Sequence, residues 1–289
     1  MMNLFMTGMG ATVVREPAVA GTFYPDEPAR LVEMIDRYLA GAEKVIEGEV
    51  GGVVVPHAGY VYSGPVAAWS FKQIEGANYP YVIVLAPSHF EYFEGASVFN
   101  GEYYRTPLGD IPVATELAIQ LTRQHPLIRI SELGHRVEFS DRGEHSLEVE
   151  LPFLQRVLGD FQLIPIVMGS QNWATCEATA KAIATVFADK KVLVVASSDL
   201  SHYHPYEAAY QIDERLIELF ENYDYRQILE LNNMRKVEAC GAGPIATVMF
   251  AAQLLGYNKS RVMKYATSGD VPHGEKYQVV GYMAGVLYK

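Results

Sequence analysis

Six side chains able to move a proton or hold a metal stand at the ends of apolar runs or in small-residue turns. They are His57 in VVVPHAGY, His89 in VLAPSHF, His145 in GEHSLE, Asp199 and His202 in SSDLSHY, and Cys240 in ACGAGP. Neutral imidazoles and a thiolate are good donors for iron, copper or zinc, and an open coordination position leaves room for oxygen or a substrate. A metal-free alternative uses the same residues for nucleophilic catalysis, with His202 activating Cys240 and Asp199 orienting the imidazole. Spacing does not separate the two chemistries. It also matches no short zinc motif, so the site must be assembled by the fold.

The elements that would assemble it are strands. Runs such as GGVVVP, YVIVLAPS, FQLIPIVMG and KVLVVASS alternate with amphipathic stretches, which is the pattern of βαβ units. Continuous β-branched runs without polar alternation suit strands covered on both faces. Three of these runs exit alike, VVVPH at His57, VIVLAPSH at His89, and VLVVASSDLSH at Asp199 and His202. In open α/β sheets the loops at the carboxyl ends of strands converge on a crevice, so neighbouring strands would gather these groups. Within WATCEATAKAIATVFADK, Ala174, Ala178, Ala182, Ile183, Val186 and Phe187 recur at helical steps, predicting a sheet-covering helix.

Leu147, Leu151 and Leu154 predict a core-facing helix after His145, whose ring would serve as a cap or a catalytic group. Further helices are expected near Ala208 to Asn222, Tyr225 to Asn232 and Pro244 to Leu255, the last with Cys240 in the turn before it. A turn at a helix N-terminus is a setting that can lower a thiol pKa. Asn-Gly and Leu-Gly-Asp turns between Gly95 and Val113 predict antiparallel hairpins, and YQVVGYMAGVLY predicts a closing strand. The expected fold is α/β, a single domain over 15–289 with a mixed, mostly parallel sheet flanked by helices, behind a loose tail at 1–14.

Composition narrows the function. The 289 residues are 49% hydrophobic and 20% charged, as in ordinary globular chains. A formal charge of −11 argues against nucleic-acid binding, which needs a basic face to displace counterions. The longest apolar stretches fall short of the roughly 18 to 20 residues of a membrane span, and the opening lacks the basic start of a secretory signal. Two cysteines build no disulfide framework, so a cytoplasmic location with free thiols is expected, Cys176 as a small buried residue. Tyr60, Tyr62, Phe90, Tyr92 and Tyr203 follow the candidate groups and are placed to wall a pocket. Arg15, Arg105 and Lys236 are isolated basic residues and candidate anion contacts.

The segments REPAVAGTFYP, PHAGYVYSG, LAPSHF, YYRTPLGD, EHSLEVELPF, IPIVMG, SSDLSHY and ACGAGP, in this order between Arg15 and Leu287, resemble the Memo family. Its microbial members are called AmmeMemoRadiSam system protein B, and its fold is similar to that of class III extradiol dioxygenases, non-haem iron enzymes that open catechol rings with oxygen. The resemblance implies His57, His89 and Cys240 as metal ligands, His202 as an acid/base group with Asp199 nearby, and His145 in the same pocket. The dioxygenases carry a glutamate at the place of Cys240, and a thiolate shifts preference toward softer or more redox-active ions. The implied function is a metal-dependent redox protein, with iron or copper ahead of zinc, taking a small-molecule or peptide ligand beside other AmmeMemoRadiSam proteins.

The alternative is a non-catalytic interaction protein with a vestigial dioxygenase-like pocket. Some animal members are described as adaptors for phosphotyrosine peptides. Phe23 in place of a familiar indole, and a CGAGP turn without basic residues, weigh against that role here.

Overall fold

The computed structural model describes residues 12–136 and 143–289. The first half of the chain runs β1 (Val14–Arg15), α1 (Pro28–Ala40), β2 (Val50–Val55), α2 (Tyr60–Ile74), β3 (Tyr81–Pro87), β4 (Ala96–Val98), β5 (Tyr103–Thr106), β6 (Gly109–Pro112), α3 (Thr115–Thr122) and β7 (Ile128–Ile130). A 3-10 turn at Glu148–Glu150 leads into α4 (Leu151–Leu158), then β8 (Gln162–Met168), α5 (Trp173–Val186), β9 (Val192–Ser197) and β10 (His202–His204). The chain closes with α6 (Tyr206–Glu221), α7 (Tyr225–Asn233), α8 (Ala242–Leu254), β11 (Lys259–Thr267) and β12 (Val279–Tyr288).

One nine-stranded sheet carries the fold, in the order β10-β12-β2-β9-β3-β8-β4-β7 with β11 also paired to β12. Its four central strands, β2, β9, β3 and β8, are parallel, while β12 is antiparallel to β2 and β4 to β8. The sheet is therefore mixed, as expected. Successive strand side chains point to opposite faces, which sorts the β-branched runs into two cores. Val54, Ile83, Leu85 and Val194 pack with Ile183, Ile228 and Met249 of α5, α7 and α8. Val53, Val55, Val82, Val84 and Val195 pack with Leu31, Phe71 and Phe153 of α1, α2 and α4.

Helix starts follow local chemistry. At α1 the Glu27 carboxylate accepts the Ala29 and Arg30 N–H groups ahead of Pro28 at the first turn. At α5 the Asn172 side chain accepts from the Thr175 N–H. Ala178, Ala182, Ile183, Val186 and Phe187 are buried as the periodicity predicts, but Ala174 is exposed, and Thr175, Cys176 and Thr179 take the inner positions of the first turns. Cys176 is fully buried, and burial pushes its thiol up to about 11.

The Leu-Gly-Asp turn closes an antiparallel hairpin between β5 and β6. The Asn-Gly turn instead carries the chain from β4 in the large sheet to β5 in a separate three-stranded sheet, β1-β5-β6. Residues 1–11 of the expected tail lie outside the described residues. Val14, expected in that tail, is a strand residue paired with Tyr103. Among the described residues no helix is long and apolar enough to cross a membrane.

Behind the strand exits, a buried ion pair between the Arg15 guanidinium and the Glu148 carboxylate joins β1 to the 3-10 turn. Glu148 also accepts the Ala18 and Val19 N–H groups and the Tyr24 hydroxyl, and Arg15 Nε donates to the His135 carbonyl at 3.2 Å. Removing one member leaves the other charge buried and unpaired. Arg15→Ala is expected to cost about 3–5 kcal/mol in urea unfolding. A loss below roughly 1 kcal/mol, the level of an exposed pair, would contradict this reading.

Candidate metal centre

Because β9 lies between β2 and β3, the carboxyl ends of these strands leave the sheet side by side. Pro56 and the His57–Gly59 turn follow β2, Ser88 and His89 follow β3, and Ser198 and Asp199 follow β9. The Ser198 N–H donates to the Val55 carbonyl at 2.9 Å, and the His57 N–H donates to Asp199 Oδ1 at 2.8 Å, which clasps two exits together. Cys240 arrives from the opposite end of the sequence, just before the Gly241 that caps α8. A Cβ on Gly241 would stand 2.5 Å from the Ser197 carbonyl oxygen, so the glycine permits this close approach.

One donor atom each from His57, His89 and Cys240 falls within 4.8 Å of the others. Cys240 Sγ lies 3.3 Å from His57 Nε2 and accepts the Asp199 N–H at 3.3 Å. Gln171 holds the turn on its other side, donating to the Cys240 carbonyl and accepting from the Gly243 N–H, each at 2.8 Å.

The imidazole orientations are fixed from behind. Ser197 Oγ is 2.7 Å from His57 Nδ1, 2.7 Å from Glu150 Oε1 and 2.6 Å from the Ser146 carbonyl. The carbonyl only accepts, so it takes the hydroxyl proton. Burial raises the Glu150 carboxyl well above the usual range. His57 then donates Nδ1–H to the hydroxyl and keeps its Nε2 lone pair toward Cys240. Burial, reinforced by the neighbouring imidazoles, holds His57 well below its ordinary value and keeps it neutral.

His89 is backed by Glu144, whose Oε1 is 3.0 Å from Nδ1 and whose Oε2 accepts the His89 N–H at 2.6 Å. Burial opposes its charge, but the bonds to Cys240 and Glu144 outweigh that and push His89 up to about 10. Glu144, His89 and His145 also place donor atoms within 4.8 Å of one another. The Glu144 Oε1 is nevertheless occupied, accepting the His145 and Ser146 N–H groups and the Ser146 hydroxyl. That carboxylate is committed to holding the His89 ring and the His145–Ser146 segment in place.

His145 stacks on His89 with centroids 4.8 Å apart and meets Phe23 in a tilted contact at 4.7 Å. It stands before the 3-10 turn and does not cap α4. His202 is part-buried, with Nδ1 2.8 Å from the Leu200 carbonyl. That carbonyl selects the Nδ1–H form and leaves Nε2 as an acceptor. Asp199 does not orient His202, because its carboxylate is spent on the His57 backbone; burial pushes it up to about 7. The Cys240 thiol likewise contacts His57, where the metal-free alternative required His202.

Arg15 is committed to Glu148, and Arg105 pairs with Asp110 and Glu16 at 2.6 and 2.8 Å, away from the cluster. Lys236 is exposed. Tyr60 is core, donating to the Val149 carbonyl at 2.8 Å, and Tyr92 points to solvent with 86% exposure. Tyr62 and Tyr203 line a cleft of about 370 Å³ with Tyr282 and His273, whose lining includes none of His57, His89, His145, His202 or Cys240. Phe90 lies near His145, with centroids 6.3 Å apart. Ser197, Glu144, Glu150 and Gln171 were not singled out from the sequence; of these only Glu144, beside His145 in GEHSLE, carried a positional signal.

Fold and cluster together define an α/β protein with a histidine and cysteine site at the carboxyl ends of parallel strands. Residues 15–286 match the family model described as Memo-like protein, and the chain belongs to that family. It is 38% identical over 288 residues to a MEMO1 family protein of Methanobrevibacter smithii, covering 95% of this chain and 100% of that one. A MEMO1 family protein of Methanosarcina mazei is 40% identical over 277 residues, with 95% and 99% covered. The crystal structure of the uncharacterized protein JW3007 from Escherichia coli K12 shares the fold, with a TM-score of 0.50 at 15% identity over 83% of this chain and 100% of that one.

The environments of the histidines differ enough to test directly. Burial, with the charge of His89, lowers His145 to about 4, so it is neutral above that pH and takes up a proton only as pH falls through it. An NMR titration of metal-free protein should place the His145 midpoint at about 4, well below an ordinary imidazole. A midpoint near 6.5 would contradict the packing described.

Proposed function

We propose that this Memo family chain is a metal-dependent redox protein that binds iron or copper, ahead of zinc, through His57, His89 and Cys240 and acts on a small substrate. The observation that carries this reading is the convergence of three donors whose remaining groups are already held: His57 by Ser197, His89 by Glu144, and the Cys240 sulfur by the Asp199 N–H. Such backing is what orients metal ligands and raises their affinity. Two imidazoles and a thiolate suit a redox-active ion better than a hard one, and the bound metal supplies one-electron chemistry. His202, with Nδ1 held by Leu200, accepts or returns a proton at Nε2. The cleft beside Tyr62 and Tyr203 admits the substrate or a peptide side chain. A cytoplasmic location and work beside other AmmeMemoRadiSam proteins belong to the same proposal.

The test is elemental analysis of untagged protein purified without oxygen or chelator, beside folded His57→Ala, Cys240→Ser and Ser197→Ala variants. Near-stoichiometric iron or copper is expected in the native protein and none in the first two. Ser197→Ala should bind about 10–100-fold more weakly, the range for losing a group that orients a ligand. Metal retained by both ligand variants, or a folded native protein unable to take up iron, copper or zinc, would overturn the reading. The second result would leave the non-catalytic binding protein.

A further inference from the structure

We propose that Asp213, on α6, is a positioning residue that fixes the His202 imidazole in its Nδ1–H form through the Ser201 peptide. The inference deepens the role given to His202 above and rests on that reading for its functional meaning.

Asp213 is fully buried, although nothing in an amphipathic helix of this kind requires a carboxylate on its inner face. Among the described residues it has no salt-bridge partner. Its acceptors are used by a short segment instead: Oδ1 takes the Ser201 N–H at 3.0 Å, and Oδ2 takes the Ser201 hydroxyl at 3.0 Å and the Tyr265 hydroxyl at 2.7 Å. Ser201 is thus gripped at both its backbone and its side chain.

The same segment is held from the sheet side. The Gly281 N–H donates to the Ser201 carbonyl at 2.9 Å, and the Leu200 N–H donates to the Gly281 carbonyl at 2.8 Å. A Cβ on Gly281 would lie 1.8 Å from Asp213 Oδ2, so this strand position and the carboxylate are fitted to each other. With Leu200 and Ser201 immobilised between α6 and β12, the Leu200 carbonyl is aimed at His202 Nδ1, 2.8 Å away. A carbonyl in that place accepts only from the Nδ1–H form. The proton-accepting Nε2 lone pair therefore depends on a carboxylate that does not touch the ring.

A buried carboxylate serving only to stabilise α6 would leave the ring's protonation pattern alone, and nitrogen NMR separates the two roles. Full-length, histidine-labelled chain is compared, metal-free and zinc-loaded, as native protein, Asp213→Asn and Ser201→Ala, with His202 assigned by His202→Gln. Native His202 is expected in the Nδ1–H form. In Asp213→Asn the ratio of Nδ1–H to Nε2–H forms should fall roughly fivefold or more, the equivalent of one hydrogen bond. Ser201→Ala, which keeps the peptide N–H, should move it the same way by less, with circular dichroism unchanged.

Unchanged His202 signals in folded Asp213→Asn and Ser201→Ala would overturn the proposal, as would a native His202 already in the Nε2–H form. Should Asp213→Asn fail to fold, Ser201→Ala alone decides by the same criterion. Failure of the metal reading shows separately, as absent metal uptake with the His202 response intact.

Discussion

Asp199 is the residue on which the site depends. Its carboxylate accepts the His57 N–H, its own N–H points at the Cys240 sulfur, and its carbonyl accepts the Cys240 N–H at 3.2 Å. One residue at the exit of one strand thereby places His57 from the neighbouring strand and Cys240 from the turn before α8. The arrangement needs a buried carboxylate, which costs free energy unless its hydrogen bonds are made. Donation from the His57 backbone helps supply them.

That clasp is available only because of strand order. Parallel pairing puts β2 and β3 on either side of β9, so three exits share one rim, and two apolar cores hold the strands rigid beneath it. Ser197 and Glu144 then act behind the rim, setting which nitrogen of His57 and of His89 faces the cluster. The sheet gives position, and the buried polar residues give the histidines and the cysteine their orientation.

Much of this was legible in the chain. Continuous β-branched runs announce two-sided burial, and a titratable residue two to five places after such a run marks a strand exit, which is why His57, His89, Asp199 and His202 stand out. Helical periodicity located α5, but its first turn departs from the pattern because the Asn172 cap sets the phase, turning Ala174 outward and Thr175 inward. The pairing of Asp199 with the His57 backbone was not legible, since proximity in sequence favours His202. Ser197, Glu150 and Asp213 are ordinary residue types whose meaning comes only from burial beside a particular partner.

The most direct test of the account is X-ray absorption spectroscopy at the metal edge of iron- or copper-loaded native protein. Convergence of His57, His89 and Cys240 predicts one sulfur scatterer together with the outer-shell pattern of two imidazoles, the sulfur contribution vanishing in Cys240→Ser. A tightly bound metal surrounded only by nitrogen and oxygen, unchanged by that substitution, would contradict it.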